Sequence, residues 1–220
     1  TYVADNVYVT IDEAALFTVD LRTLVADVAT GGLSFAIASA SNGSAAIQGG
    51  ATAQFRPFDD GLAGFTYTTS VDGTLAATRT VNFMVHNAAP TASLAGPADG
   101  VRGQQLTFTI GASDALGDEA AGFSYHVDWG DGTQQLVGPT AGNGAGIPAT
   151  HVYVDLGTYT VRVTAIDNDG QASTEVTQTA SVTPFAVQVD PLNPAQRVLV
   201  VGGSAGADNI DISAVCDSDE

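Results

Sequence analysis

At 220 residues the chain has room for one or two domains, and its 45% apolar content is enough to fill their cores. Charged residues make up only 14%, which excludes long salt-bridged helices, while abundant Gly, Thr and Val favour strands and turns. The formal net charge of −18, from 24 acidic against six basic residues, excludes nucleic acid as a partner and argues against an anionic membrane surface.

Twenty of the acids are Asp and four are Glu, and all six bases are Arg. Asp is both a turn residue and a ligand for hard cations, so each Asp has two readings. A lone cysteine, Cys216, rules out a disulfide framework within the chain. In an exported protein calcium is the natural substitute stiffener. No apolar run approaches the ~20 residues of a membrane span, so no membrane insertion is expected. The chain opens at Thr1-Tyr2-Val3 with no Met and no signal peptide, as expected of a monomeric piece of a longer protein.

Asp12 to Val28 is β-branched and lacks a sustained helical repeat. It reads as two strands and a loop, with one helical turn near Leu21–Leu24. Turns follow at Asp59-Asp60-Gly61 and Asp72-Gly73. Between and beyond them, Phe65-Thr66-Tyr67-Thr68 and Val81-Asn82-Phe83-Met84-Val85 alternate, with Met84 the exception. His86-Asn87-Ala88-Ala89-Pro90 reads as a linker, because Pro90 imposes extended geometry on Ala89 and cannot donate to a central ladder. Further on, Tyr159, Val161, Val163 and Ala165 share one strand face, and Thr160, Arg162 and Thr164 the other. Thr183-Pro184 and Asp190-Pro191-Leu192-Asn193-Pro194 mark a second break. Period-two patterning with regular turns predicts an all-β chain: two immunoglobulin-like β-sandwiches in tandem, over 1–87 and 88–184, then a short, partly ordered segment over 185–220.

The sharpest motifs lie in the middle unit. Asp128-Trp129-Gly130-Asp131-Gly132-Thr133 reads as a tight hairpin. Asp155-Leu156-Gly157-Thr158-Tyr159, two residues before Val161, has the spacing of a tyrosine corner. Together with Ala89-Pro90-Thr91-Ala92, His151-Val152-Tyr153 and Ala165-Ile166-Asp167-Asn168-Asp169-Gly170, these residues closely resemble a PKD domain over about 95 positions. The resemblance implies a seven-stranded sandwich found outside cells, a spacer or interaction module without catalysis of its own. Calcium-binding relatives place ligands at positions that correspond here to Asn87, Asp114 and Asp167. The alternative is that Asp114 and Asp167 only cap turns. A site including the linker would fix the angle between units.

In the first unit, Asp12-Glu13, Asn42-Gly43, Phe55-Arg56-Pro57 and Gly64-Phe65-Thr66-Tyr67 through Asp72-Gly73 resemble the cadherin-like tandem repeat of large bacterial adhesins. That resemblance implies calcium between neighbours, with Asp12, Glu13 and Asp27 as candidate ligands. In the tail, Gly202-Gly203-Ser204-Ala205-Gly206-Ala207-Asp208 is similar to one imperfect calcium β-roll repeat, against the simpler reading of a hairpin arm. Gly202-x-Ser204-x-Gly206 is not a nucleophile elbow, since no His follows Ser204. Asn42-Gly43-Ser44 is a formal glycosylation sequon of a kind common by chance. His86, His126 and His151 fall at linker, strand and strand-start positions without a zinc motif, and His151 is expected to bond nearby backbone.

The expectation is therefore a non-catalytic structural or adhesion spacer of a large exported bacterial protein, secreted or on the cell surface, stiffened by calcium. The alternative is a polysaccharide- or protein-binding accessory module of a secreted hydrolase.

Overall fold

The computed structural model describes residues 8–25, 32–204 and 206–211. Asp27 and Cys216 lie outside them. The chain is almost entirely β, in sandwich units of immunoglobulin-like type.

Among the described residues, seven strands make the first unit: β1 (Tyr8–Asp12), β2 (Phe17–Asp20), β3 (Leu33–Ser41), β4 (Gly43–Gln48), β5 (Thr52–Pro57), β6 (Gly61–Val71) and β7 (Thr74–His86). They form a four-stranded sheet in the order β1-β7-β6-β3 and a three-stranded sheet in the order β2-β5-β4. Alternation does the sorting. Phe65 and Tyr67 of β6 are buried while Thr66 and Thr68 face outward, and Met84 points out between buried Phe83 and Val85. Phe55 and Phe83 stack at 4.6 Å in the core. The predicted helical turn is a 3-10 turn at Leu21–Leu24, begun by the Asp20 carboxylate accepting from the Arg22 amide and anchored by fully buried Leu21. β1 runs parallel to β7, in register from Tyr8 with Asn82 to Asp12 with His86. His86, expected in the linker, is thus the last residue of a strand.

The second unit comprises β8 (Thr91–Ala95), β9 (Asp99–Val101), β10 (Gln105–Ser113), helix α1 (Leu116–Ala121), β11 (Ser124–Asp128), β12 (Gln134–Val137), β13 (Ile147–Val152), β14 (Gly157–Ile166) and β15 (Val176–Thr183). Its sheets are β13-β10-β8 and β12-β11-β14-β15-β9. There are eight strands where the resemblance implied seven, because Asp99–Val101 pairs in parallel with β15. Trp129 is buried beside Phe108 and stacks on His151 at 4.7 Å. His151 meets the Asp131 carboxylate at 2.7 Å through Nε2. Its partner is therefore the hairpin side chain and not the backbone expected from sequence.

The Tyr159 hydroxyl donates to the Asp155 carbonyl at 2.9 Å, as the corner spacing requires. Tyr159→Phe should therefore cost about 1 kcal/mol, the net value of one such bond. Urea unfolding in calcium would read this as a lower midpoint at unchanged slope. An unmoved midpoint would mean that water replaces the bond without loss.

Beyond the second break, β16 (Phe185–Val189) and β17 (Arg197–Val201) form an antiparallel hairpin. It rests on the second unit through paired amides of Gln104 and Gln188. The hairpin arm forms, and the described residues of the β-roll-like stretch follow it as irregular chain. Ser204 follows a strand into irregular chain and donates to the Asp208 carboxylate, far from the geometry of an elbow.

Candidate metal centre

The two units meet where β7 ends and the chain passes through Asn87–Pro90 into β8. Glu13, in the turn between β1 and β2, reaches across this passage. Its amide donates to the His86 carbonyl at 3.1 Å, and its Oε1 accepts from the Ala88 amide at 2.7 Å. From the second unit come Asp114, just after β10, and Asp118, inside α1. One carboxylate oxygen from each of Glu13, Asp114 and Asp118 lies within 4.8 Å of the others.

Most of these oxygens have nothing to bond. Glu13 is 1% exposed and Asp118 0%. Glu13 Oε2, Asn87 Oδ1, Asp114 Oδ2 and both oxygens of Asp118 are buried without a hydrogen-bond partner. Asp114 Oδ1 is used by the Ala115 amide at 2.9 Å. Asn87 Nδ2 donates to Asp167 Oδ2 at 3.2 Å, and Asp167 Oδ1 accepts from the amides of Asp169 and Gln171. Buried polar atoms are nearly always satisfied, and an unpaired buried carboxylate costs several kcal/mol.

Burial, first, and like charge, second, hold protons on these groups. The Glu13 carboxyl is pushed up to about 7 by burial, with Asp118, Asp114 and Asp59 adding repulsion against the favourable Ala88 bond. Asp118 is pushed up to about 6 by burial, then by Asp114, Asp167, Asp59 and Asp169. Burial raises Asp114 too, with Asp167 and Glu119 contributing. Among the described residues the ion pairs are Arg22–Asp20, His151–Asp131 and Arg162–Glu175, none of them here. Arg56 lines the same cleft as Glu13 and Asp114 without closing an ion pair.

An all-oxygen set with no sulfur or imidazole suits a hard cation. Calcium takes six to eight oxygens in adaptable geometry, and water can supply those the protein does not. The donors present fit that ion: Glu13 from one unit, Asp114 and Asp118 from the other, and Asn87 between them.

Residues 87–183 match the family model of the PKD domain. A solved PKD domain of an M14-like peptidase from a Thermoplasmatales archaeon is 27% identical, with 44% of this chain and 98% of that one covered at a TM-score of 0.40. Fibronectin(III)-like modules of Clostridium thermocellum CbhA cover 80% of this chain and 90% of their own at 16% identity and a TM-score of 0.33. Drosophila N-cadherin EC1-3 covers 70% of this chain and 56% of its own at 14% identity and a TM-score of 0.30. No curated protein matches the sequence.

The residues carried over from the PKD resemblance come together at the junction. Asn87 bonds Asp167, and Asp114 lies close enough to feel the Asp167 charge. Glu13, a candidate from the first unit, joins them. Asp12 does not: it is exposed, and its backbone carbonyl accepts from the Ala15 amide. Asp118 went unseen in the sequence. The six residues of α1 are too few to show a helical period, and the helix starts without a side-chain cap. A second acidic group, Asp59, Asp60 and Asp169, spans the same junction. In the sequence Asp59 and Asp60 read only as a turn ending in glycine, and Asp169 only as part of the PKD-like motif that ends at Gly170.

Proposed function

We propose that the chain is a non-catalytic structural segment of an exported bacterial protein, in which calcium between the two sandwiches fixes their angle. The observation that carries this reading is the set of buried, unpartnered oxygens drawn from both units: Glu13 on one side, Asp114 and Asp118 on the other. Ionised and alone, they would push the units apart. With a divalent ion, Glu13, Asn87, Asp114 and Asp118 would supply protein oxygens, and Asp167 would orient Asn87. Calcium there would supply only electrostatic cross-linking. The match to a PKD domain supports a non-catalytic module outside cells, since that is what the family implies.

Small-angle scattering tests the mechanical half of the reading. In calcium the distance distribution should be narrow, with one maximum dimension. Chelation should broaden and lengthen it as the junction becomes a hinge. Superimposable curves in calcium and chelator would sink the proposal.

A further inference from the structure

We infer that the open edge of β16 is a docking site for an extended, basic segment of a partner protein, which joins the hairpin arm as a third strand. The site lies away from the junction and does not depend on calcium there.

Hydrogen-bond parity identifies the open edge. In an antiparallel pair, residues that exchange two backbone bonds alternate with residues that exchange none. The Gly202 amide donates to the Pro184 carbonyl at 2.8 Å, and the Asp190 amide to the Gln196 carbonyl at 3.1 Å. These bonds flank the pairs Phe185–Val201 and Val189–Arg197, which therefore exchange none. Ala186–Val200 and Gln188–Val198 carry the ladder. The amides and carbonyls of Phe185, Val187 and Val189 point away from β17. The Thr183 hydroxyl donates to the Phe185 carbonyl at 2.9 Å. Among the described residues, β17 is the only strand paired with β16, and no backbone bond reaches Val187 or Val189 from elsewhere.

The open edge faces a groove of about 680 Å³. All five residues of β16 line it and none of β17 does, so the groove runs along the edge of the strand. Asp99, Gln105 and Thr107 line it from the second unit. Exposed edges are normally blunted by charge, proline or a bulge. Phe185-Ala186-Val187-Gln188-Val189 has no charge and no proline, and its register with β17 is unbroken. Two strands alone are marginal in water. A third would complete the pairing, with main-chain bonds supplying affinity.

Side chains set what that strand carries. Phe185, Val187 and Val189 are exposed on one face of β16. An added strand lays alternate residues beside them, so apolar residues belong at those positions. Asp99 is the one ionisable side chain among the described residues of the groove, in a chain of net charge −18. That field draws in a basic segment and repels an acidic one. A second copy of this chain would bring the same negative charge.

The probe is a capped heptapeptide with valine at alternate positions, threonine between and lysine at both ends, titrated into the isotope-labelled full chain. The amides of Val187 and Val189 should shift and exchange more slowly, while those of Ala186 and Gln188, already bonded to β17, keep their rates. Val187→Pro removes an edge donor without touching the ladder, and should weaken binding about tenfold. Glutamate in place of the lysines should weaken it too, by a margin that shrinks in high salt. No change at Val187 and Val189, or native affinity in Val187→Pro, overturns the site. Equal binding of the two peptides overturns the basic partner. If Val187→Pro loses the hairpin, the exchange pattern of the native chain decides alone. A native dimer that Val187→Pro dissolves would give the edge to a second copy and overturn the partner assignment.

Discussion

In chelator, stability should fall by roughly 3–6 kcal/mol as pH rises from about 4.5 to about 7.5. The folded chain holds protons on Glu13 up to about 7, against an ordinary value of 4.5, and on Asp118 up to about 6, against 3.8. Through that window the folded state binds more protons than the unfolded one, and stability must therefore drop as protons leave. The loss is complete once pH exceeds the folded value of each group. Calcium flattens the slope, because binding requires both carboxylates ionised and releases their protons. At free calcium a hundredfold above Kd the gain is about 2.7 kcal/mol. Below about pH 6, affinity should weaken by up to tenfold per pH unit for each proton displaced. Melting curves at three pH values, with and without calcium, test the fall in chelator and its flattening in calcium. A chelated protein whose stability is flat or rises across this range would contradict the buried-carboxylate account.

Asp118→Asn should act in opposite directions in the two conditions. In chelator near pH 7.5 it removes a buried charge that nothing neutralises, and the variant should be about 1–3 kcal/mol more stable than the native chain. In calcium it removes a ligand, and most of the calcium gain should vanish. The pH slope in chelator should shrink by the share that Asp118 contributes. A residue that merely packed would lose stability equally in both conditions. Equal destabilisation with and without calcium would therefore remove Asp118 from the site, and an undiminished calcium gain would do the same.

The strand pattern was legible because it is local. Tyr159, Val161, Val163 and Ala165 declare their inward face by alternation alone, and Asp155 to Tyr159 encodes the corner bond in five residues. The partner of His151 was not legible, since Asp131 is 20 residues upstream and meets it only after the sheets pack. The acidic junction divides in the same way. Asn87, Asp114 and Asp167 came from motif resemblance, which carries spatial information that one sequence lacks. Asp59, Asp60, Asp118 and Asp169 sit beside glycines in turns or a six-residue helix, where Asp is expected for backbone reasons. Only the packing of α1 against the β5–β6 turn, through Gly117 and Phe58, brings the two segments together.

The parallel pairing of β1 with β7 has a mechanical consequence. Tension applied along the chain would draw β1 backward and β7 forward, loading the ladder from Tyr8–Asn82 to Asp12–His86 all at once in shear. An antiparallel closing pair would instead be unzipped one bond at a time. The first sandwich is thus wired to carry a pulling force, and Glu13, one residue beyond that ladder, stands where the load passes to the next unit.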